Sequence, residues 1–258
     1  MLRTSLLVLA TASVVLNSNA ASFHAARIVS YDPGAGYSVN FTHPDAALGE
    51  PARINPFGED TDPFNPPYGT NQIVSIGAGG SLTVRFHKPV LNHPRNIDQL
   101  DFTIFGNTGF IITNEFDLVT FNWIGIPATD GSLFGSSAGE TRVSVSYDGR
   151  HFFTLAPERA PEVDSFPPTD GQGDFGVPVD PKLSADNFAG ATLEDIRSLY
   201  DGSGGGASYD ISWARDSRGR RVFLPIIRFV RVEVISGKAE IDAFATIERL
   251  PWWWKGKK

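Results

Sequence analysis

The sequence predicts an all-β fold, an antiparallel jelly-roll β-sandwich with long loops and one short helix. Apolar and polar residues alternate in most segments, and a period of two residues is typical of strands rather than helices. Turn-forming residues are frequent, with 26 Gly and 18 Pro among 258 residues, and they separate short β-prone segments. Strands in succession, with one helix inside a long insertion, favour an antiparallel sandwich or jelly roll.

The predicted strands are short and rich in β-branched and aromatic residues. They lie at residues 28–31, 72–76, 81–86, 100–105, 117–124, 142–147, 151–155, 227–234 and 240–247. Three pairs of neighbouring strands flank a turn and are predicted as hairpins, with turns at Gly77–Gly80, Asp148–Gly149 and Gly237–Lys238. Asp-Gly between two β-prone segments is the strongest of these signals.

One helix and two long loops complete the predicted order of elements. Thr192 begins the helix as its N-cap, Asp195 takes the place of the capping-box acid, and Gly202 ends it. Residues 44–70 and 156–191 are rich in Pro and are predicted as loops. Loops of this length in a compact domain are usually functional or mobile.

Residues 1–20 have the pattern of a secretory signal peptide. Arg3 is followed by the short apolar segment Leu6–Leu16, and Ser18-Asn19-Ala20 places small residues where signal peptidase cleaves. The alternative is a membrane anchor, but a spanning helix needs roughly 20 apolar residues. We therefore expect a signal peptide at 1–20, a β-sandwich domain at 21–249 and a Trp- and Lys-rich tail at 250–258. The expected location is secreted, periplasmic or at the cell surface, with no transmembrane segment in the mature chain.

Composition excludes several classes of protein. The chain has no Cys, so it forms no disulfide, thiolate nucleophile, zinc knuckle or iron–sulfur cluster. A net charge of −7 argues against nucleic acid as a partner.

Gly135–Gly139 matches the G-x-S-x-G nucleophile elbow, but a strand-like segment follows it where that site needs a helix. The five histidines form no close ligand pair. The sequence therefore favours a protein without catalytic activity and leaves the question open.

Exposed aromatic residues are candidates for sugar binding, because sugar rings stack on Trp and Tyr while polar groups take the hydroxyls. The candidate ligand-binding residues are Tyr68, Tyr200, Tyr209 and Trp213. Trp123 lies in a strand pattern and is assigned to the core. Trp252–Trp254, followed by Lys residues, fits either an interfacial membrane contact or a sticky, partly ordered tail.

Five strand-and-turn segments resemble, in this order, a group of bacterial secreted proteins. These segments are residues 79–86, 101–107, 143–149, 229–232 and 239–244. Tyr31–Gly36 and Ala47–Pro51 are also similar to the amino-terminal motifs of that group. Its members are labelled cell-surface proteins or carry sorting signals of the PEP-CTERM kind, and their domain resembles galactose-binding-like jelly rolls. The resemblance spans roughly residues 28–248. The sorting motif, spanning helix and basic cluster of that group do not follow in this sequence, so the resemblance does not imply that anchoring route.

Three acidic residues are predicted to bind a structural Ca²⁺ ion, namely Asp32, Glu240 and Asp242. Glu240 and Asp242 lie two residues apart in the last strand and so point to the same face. The first and last strands of a jelly roll can lie close together, and the resemblance to carbohydrate-binding jelly rolls implies a Ca²⁺ ion at such an edge. The alternative is that Arg228, Arg231 or solvent satisfies these acids.

A second acidic pair, Asp60 and Asp62, lies in the first long loop. Oxygen ligands in an irregular loop suit Ca²⁺, but the pair lacks the ligand spacing of an EF-hand. Solvated loop acids are the alternative.

Together these features predict an exported, non-catalytic envelope or extracellular binding protein with a glycan or a cell-envelope component as its partner. Two alternatives remain at this point. One is a secreted hydrolase that acts on polysaccharides, which needs two acids facing each other across a cleft. The other is a structural envelope protein without a small ligand.

We expect the exported protein to begin at or near Ala21, because Ser18 and Ala20 occupy the two positions that signal peptidase reads. Amino-terminal sequencing of the exported fraction measures this directly. Recovery of an intact Met1 in that fraction would contradict the prediction.

Overall fold

The computed structural model describes residues 23–134 and 139–247. The strands are β1 (Ala25–Asp32), β2 (Val74–Gly77), β3 (Ser81–Leu91), β4 (Phe102–Gly106), β5 (Gly109–Ile112), β6 (Phe116–Asp117), β7 (Asn122–Trp123), β8 (Ala128–Phe134), β9 (Thr141–Ser146), β10 (Phe153–Leu155), β11 (Ala191–Thr192), β12 (Ala207–Tyr209), β13 (Ala214–Arg215), β14 (Ile226–Val234) and β15 (Lys238–Thr246). The helix α1 covers Leu193–Tyr200, and short 3₁₀ helices cover Pro44–Ala47, Ile97–Gln99, Ala185–Phe188 and Ile211–Trp213.

Two antiparallel sheets form a β-sandwich, which confirms the predicted fold class. One sheet has the strand order β1-β3-β14-β9-β10-β13 and the other has the order β12-β4-β15-β2. Fully buried apolar side chains of both sheets form the main core between them, including Leu82, Val84 and Val230 from the first and Ile104 and Phe244 from the second. The finer assignment to a jelly roll stays a prediction.

Two of the three predicted hairpins are wrong, because their strands belong to different sheets. The glycine turn after β2 carries the chain from the four-stranded sheet to β3 in the six-stranded sheet, and the turn after β14 carries it back to β15. The two crossovers are joined where Gly79 N donates to Val234 O over 2.8 Å and Val234 N donates to Gly80 O over 3.1 Å. The cause is that a period of two residues indicates a strand but not the sheet in which it pairs.

Glycine is required at the first crossover because backbones approach closely there. A Cβ atom on Gly77 would lie 2.1 Å from the carbonyl oxygen of Ala35. The Pro33-Gly34-Ala35 segment after β1 packs directly against this turn, where Ala35 N donates to Ala78 O over 2.9 Å. The end of the first strand and the first crossover therefore form one packed corner.

The third predicted hairpin is confirmed in its pairing, with Phe153 opposite Val145 in an antiparallel register. Its turn is longer than the two residues expected. The Asp148 carboxylate organises this turn, since Oδ1 accepts hydrogen bonds from Arg150 N (2.8 Å) and His151 N (2.9 Å). These bonds and the His151 side chain hold the pKa of Asp148 well below its usual range.

A smaller sheet with the order β11-β8-β5 packs with α1 around a second apolar core. Phe110, Phe188 and Tyr200 form its centre, and the Phe110 and Phe188 rings stack with centroids 5.1 Å apart. The helix begins as predicted, because Thr192 Oγ1 accepts from Asp195 N while the Asp195 carboxylate accepts from Thr192 N.

No helix among the described residues is long and apolar enough to cross a membrane.

The predicted strand at 117–124 is wrong. The segment folds instead as the two-stranded hairpin β6–β7, with Phe116 opposite Trp123 and Asp117 opposite Asn122. The cause is local, because Asp117 and Asn122 are turn-forming residues that lie inside the apolar pattern.

We expect Gly149→Ala to destabilise the fold more than Gly219→Ala. Both glycines have a left-handed backbone, with φ of +74° and +75°, so each substitution should cost about 1 kcal/mol of strain. A Cβ on Gly149 would also lie 2.9 Å from the Phe229 ring, whereas nothing lies within 4 Å of a Cβ on Gly219. We therefore expect a further loss of about 1 kcal/mol at Gly149. Urea unfolding of both variants measures the difference, and equal losses would contradict the packing of Gly149 against Phe229.

Candidate functional site

A groove of about 720 Å³ opens between the small sheet, the β6–β7 hairpin and the start of α1. Its lining combines aromatic and aliphatic side chains with a few polar ones. The lining residues are Asp62, Phe64, Asn65, Phe110, Ile111, Ile112, Trp123, Ile126, Pro127, Phe134, Thr192, Leu193 and Glu194. Concave, mainly apolar surfaces with a few polar groups are typical of ligand sites.

One wall of the groove is aromatic. Trp123 is 38% exposed and Phe134 is 41% exposed, and the Trp123 ring packs edge-on against Phe116 with centroids 4.9 Å apart. The assignment of Trp123 to the core is therefore wrong. Its strand has only two residues and belongs to a hairpin outside the sandwich, so the ring has no second sheet to pack against.

Four polar residues also line the groove, namely Asp62, Asn65, Thr192 and Glu194. Asp62 forms a tight turn in which its Oδ1 accepts from Phe64 N (2.7 Å) and Asn65 N (2.9 Å), and its Oδ2 accepts from Asn65 Nδ2 (3.2 Å). Asn65 and Glu194 are exposed at the rim. Asp62 therefore shapes the groove, while the exposed Asn65 and Glu194 present polar atoms to it.

Hydrogen bonds fix the two walls relative to each other. Phe110 N on β5 donates to Pro63 O over 2.7 Å, which joins the turn at Asp62 to the aromatic side. The Tyr200 hydroxyl at the end of α1 donates to Pro168 O over 2.7 Å. Arg197 on α1 makes a bidentate ion pair with Asp170, which is buried, and this partner raises the pKa of the guanidinium. The groove is thus preformed.

Two of the predicted sugar-binding residues lie in the core. Tyr200 and Tyr209 are 2% and 0% exposed, and burial raises the pKa of Tyr200 and of Tyr209 well above the usual value. The Tyr209 hydroxyl donates to Pro161 O, and its ring stacks on Phe102 at 5.2 Å. This is a correction to the sequence analysis, because a sugar ring has no access to either aromatic face in this structure.

The other two predicted residues are half-buried and lie apart from the groove. The ring of Tyr68 packs against exposed Phe57 with centroids 5.5 Å apart. Trp213 faces the Arg159 guanidinium at 5.5 Å and lines a separate cavity of about 200 Å³. The structure therefore brings none of the four predicted residues into the groove.

The three acids predicted to bind Ca²⁺ are not brought together. Asp32 is exposed at the end of β1, where its Oδ1 accepts from Gly34 N over 3.1 Å. Glu240 and Asp242 share one face of β15 as expected, but both are buried, at 5% and 2% exposed. Within residues 23–134 and 139–247, no three His, Asp or Glu side chains converge on a position that could hold a metal ion.

Protein groups bond both buried acids, with three partners at Glu240 and one at Asp242. Glu240 Oε1 accepts from Ser38 Oγ (2.6 Å) and pairs with Lys238 Nζ (3.1 Å), and its Oε2 accepts from Asn107 Nδ2 (2.8 Å). Asp242 Oδ2 accepts from Ala52 N over 2.9 Å, and burial raises the pKa of Asp242 well above its usual range. The charged partner of Glu240 is therefore a lysine two residues away rather than Arg228 or Arg231.

A buried acid that the sequence analysis missed lies beside them. Asp164 is buried and accepts four hydrogen bonds, from Asn107 N, Thr108 N and Thr108 Oγ1 at Oδ1 and from Glu240 N at Oδ2. Burial raises the pKa of Asp164 to about 6, while the bonds from Thr108 and Glu240 N oppose that rise. No local signal distinguishes Asp164 from the other acids of its loop. Its role is structural, because every partner is a donor within the fold.

Three features of the sequence lie outside the described residues. They are the leader with the expected cleavage site before Ala21, Gly135–Ala138 of the G-x-S-x-G match, and the Trp252–Trp254 tail.

The chain matches no protein-family model and no curated protein. The resemblance to secreted proteins of the PEP-CTERM kind, and to galactose-binding-like domains, therefore stays a prediction.

We expect the protein to unfold at the same temperature in EDTA and in excess Ca²⁺, because Ser38, Lys238 and Asn107 already satisfy Glu240. Thermal unfolding followed by circular dichroism measures this. A Ca²⁺ ion at a hundredfold excess over its dissociation constant would stabilise the native state by about 2.7 kcal/mol. A rise of several degrees in Ca²⁺ that Asp242→Asn abolishes would contradict our expectation and support the Ca²⁺ site predicted from the sequence.

Proposed function

We propose that the protein is an exported, non-catalytic binding protein of the envelope or extracellular space, and that it binds a carbohydrate in the groove beside Trp123. The observation that carries the proposal is the pairing of an exposed aromatic wall with a polar rim. A sugar ring has an apolar face and a polar edge, and the groove offers a matching surface to each.

The two walls assign roles to individual residues. Trp123 supplies the surface on which a sugar ring stacks, and Phe116 holds the indole in place through its edge-on contact. Among the polar residues of the lining, the Asn65 amide donates hydrogen bonds to the sugar hydroxyl groups or accepts them, and the Glu194 carboxylate accepts them. The volume of about 720 Å³ suits a short oligosaccharide rather than a single small ion.

The acids of the groove favour binding over hydrolysis. Glycoside hydrolysis requires two carboxyl groups that act on opposite sides of the scissile bond. Asp62 and Glu194 are the acidic residues among those that line the groove. Asp62 is 9% exposed and both of its oxygens are bonded within its own turn, which leaves Glu194 as the accessible carboxylate.

We expect Trp123→Ala to weaken glycan binding by about tenfold or more, because it removes the stacking surface. A glycan-array screen of the exported protein identifies the ligand, and calorimetry with that ligand measures the loss. Trp213→Ala is the matched control, since Trp213 is a half-buried indole beside a different cavity. Thermal unfolding of both variants checks that they fold.

Three results separate the possibilities. Loss of binding in Trp123→Ala alone supports the groove, and loss in Trp213→Ala alone moves the site to the second cavity. An array on which the wild-type protein binds no glycan would contradict carbohydrate as the ligand.

A further inference from the structure

We propose that the β6–β7 hairpin docks the protein onto a bilayer of zwitterionic phospholipid by inserting its apolar tip among the headgroups. The tip consists of Leu118, Val119, Thr120 and Phe121, which connect the two short strands. None of these four residues lines the groove, although Trp123 at the base of the hairpin does, so variants of the tip test this inference separately from the proposed carbohydrate site.

The hairpin and its flanks concentrate exposed apolar side chains. Of the eighteen large hydrophobic residues that are exposed in the described part of the chain, nine lie between residues 111 and 134. At the tip, Leu118 and Phe121 are each 75% exposed and Val119 is 88% exposed. Exposed apolar patches of this kind mark a surface that meets a partner or a membrane.

The extent of exposure favours a bilayer over a protein groove. Side chains that are three-quarters exposed have almost no protein contact on any side, so the whole tip projects from the molecule. A bilayer accepts apolar groups from every direction, whereas a protein groove covers mainly the face that it contacts. Phe116 and Trp123, side by side at the neck of the hairpin, are aromatic residues of the kind found at membrane interfaces.

Three polar groups of the tip have partners within the hairpin. Val119 N and Thr120 Oγ1 donate to the Asp117 carboxylate over 2.8 and 2.7 Å, and Asn122 Nδ2 donates to Thr120 O over 2.8 Å. An unbonded polar group is costly in a bilayer, so these bonds lower the cost of inserting the tip.

Asn114 holds the base of the hairpin. Its Nδ2 donates to Ile124 O (3.1 Å) and Ile126 O (3.0 Å), and its Oδ1 accepts from Ala128 N (2.7 Å). The hairpin is thus fixed to the small sheet although its apolar side chains contribute little to the core. A preformed tip loses less conformational freedom when it binds.

The acidic residues near the hairpin favour zwitterionic over anionic phospholipids. No Lys, Arg or His occurs between residues 96 and 141, while Glu115, Asp117 and Asp130 lie near the hairpin. Hydrogen bonds from Thr120 and Val119 lower the pKa of Asp117, so this carboxylate is charged at neutral pH. Anionic lipids are repelled by these acids, whereas the outward-facing ammonium group of a zwitterionic headgroup is attracted. The charge of Asp117 beside Leu118 also limits insertion to the headgroup region.

A fluorescent label tests insertion at the tip itself. The chain has no Cys, so Phe121→Cys creates a single attachment site for the environment-sensitive fluorophore NBD. We expect the label at residue 121 to shift to shorter wavelength and brighten severalfold with phosphatidylcholine vesicles. The control label at Val39→Cys should stay unchanged, because Val39 is 77% exposed but lies far along the chain in the segment after β1. No response at residue 121 would overturn the proposal.

Vesicle flotation then measures the contribution of the tip to binding. We expect Val119→Asp to reduce partitioning onto phosphatidylcholine vesicles by at least about tenfold, while Val39→Asp leaves it unchanged. Replacing part of the phosphatidylcholine by phosphatidylglycerol should weaken wild-type binding. Both valines are exposed, so neither variant should impair folding.

Two further measurements test the alternatives, which are membrane binding through the tail and contact of the tip with a second copy of the chain. Flotation lost on replacing Trp252–Trp254 by Ala, but not in Val119→Asp, would overturn the proposal in favour of the tail. A response of the residue-121 label that grows with protein concentration in the absence of lipid would overturn it in favour of a second copy of the chain.

Discussion

The arrangement of this molecule depends on one carboxylate buried beneath the four-stranded sheet. Asp164 comes from the long loop after β10, and its four donors come from Asn107, Thr108 and Glu240 at the end of β4 and within β15. Burying a carboxylate is costly unless its oxygens are bonded, so loop and sheet are stable only together. The close packing around Asp164 also requires glycine at position 106, because a Cβ on Gly106 would lie 2.4 Å from Asp164 Oδ1.

The same loop also bonds to α1, the helix whose start borders the groove. Downstream of Asp164, Pro168 O accepts a hydrogen bond from the Tyr200 hydroxyl, and Asp170 pairs with Arg197, so the last turn of α1 is attached to the loop at two residues. The start of that helix lines the groove with Thr192, Leu193 and Glu194. The helix that borders the groove is therefore held by residues that do not line the groove and that belong to the same loop as Asp164.

Local signals in the sequence predict the helix and eight of the ten strands in the two main sheets, but they predict no strand of the small sheet β11-β8-β5 and they predict strand partners poorly. The capping residues Thr192 and Asp195 define the helix because both partners lie within one turn. A glycine turn between two strands predicts a hairpin even where it joins two sheets, because the alternation is identical in both sheets of a sandwich. The exposure of Trp123 has a related cause. Whether an aromatic residue in a short strand is buried depends on the sheet that covers it. No residue near Trp123 in the sequence specifies that sheet. The carboxylate of Asp164 depends entirely on contacts distant in the chain.

The two candidate surfaces follow one physical logic. Apolar side chains that stay in water contribute little to folding, so the hairpin is held by the bonds of Asn114 and Asp117 together with the contact of Phe116 and Trp123. On the groove side, Asp62 has the same role for the turn that faces Trp123. In both places short polar side chains bond to neighbouring backbone groups and leave apolar or polar surface free for a partner. The surfaces are thus ordered before binding, and the free energy of contact is not spent on ordering the chain.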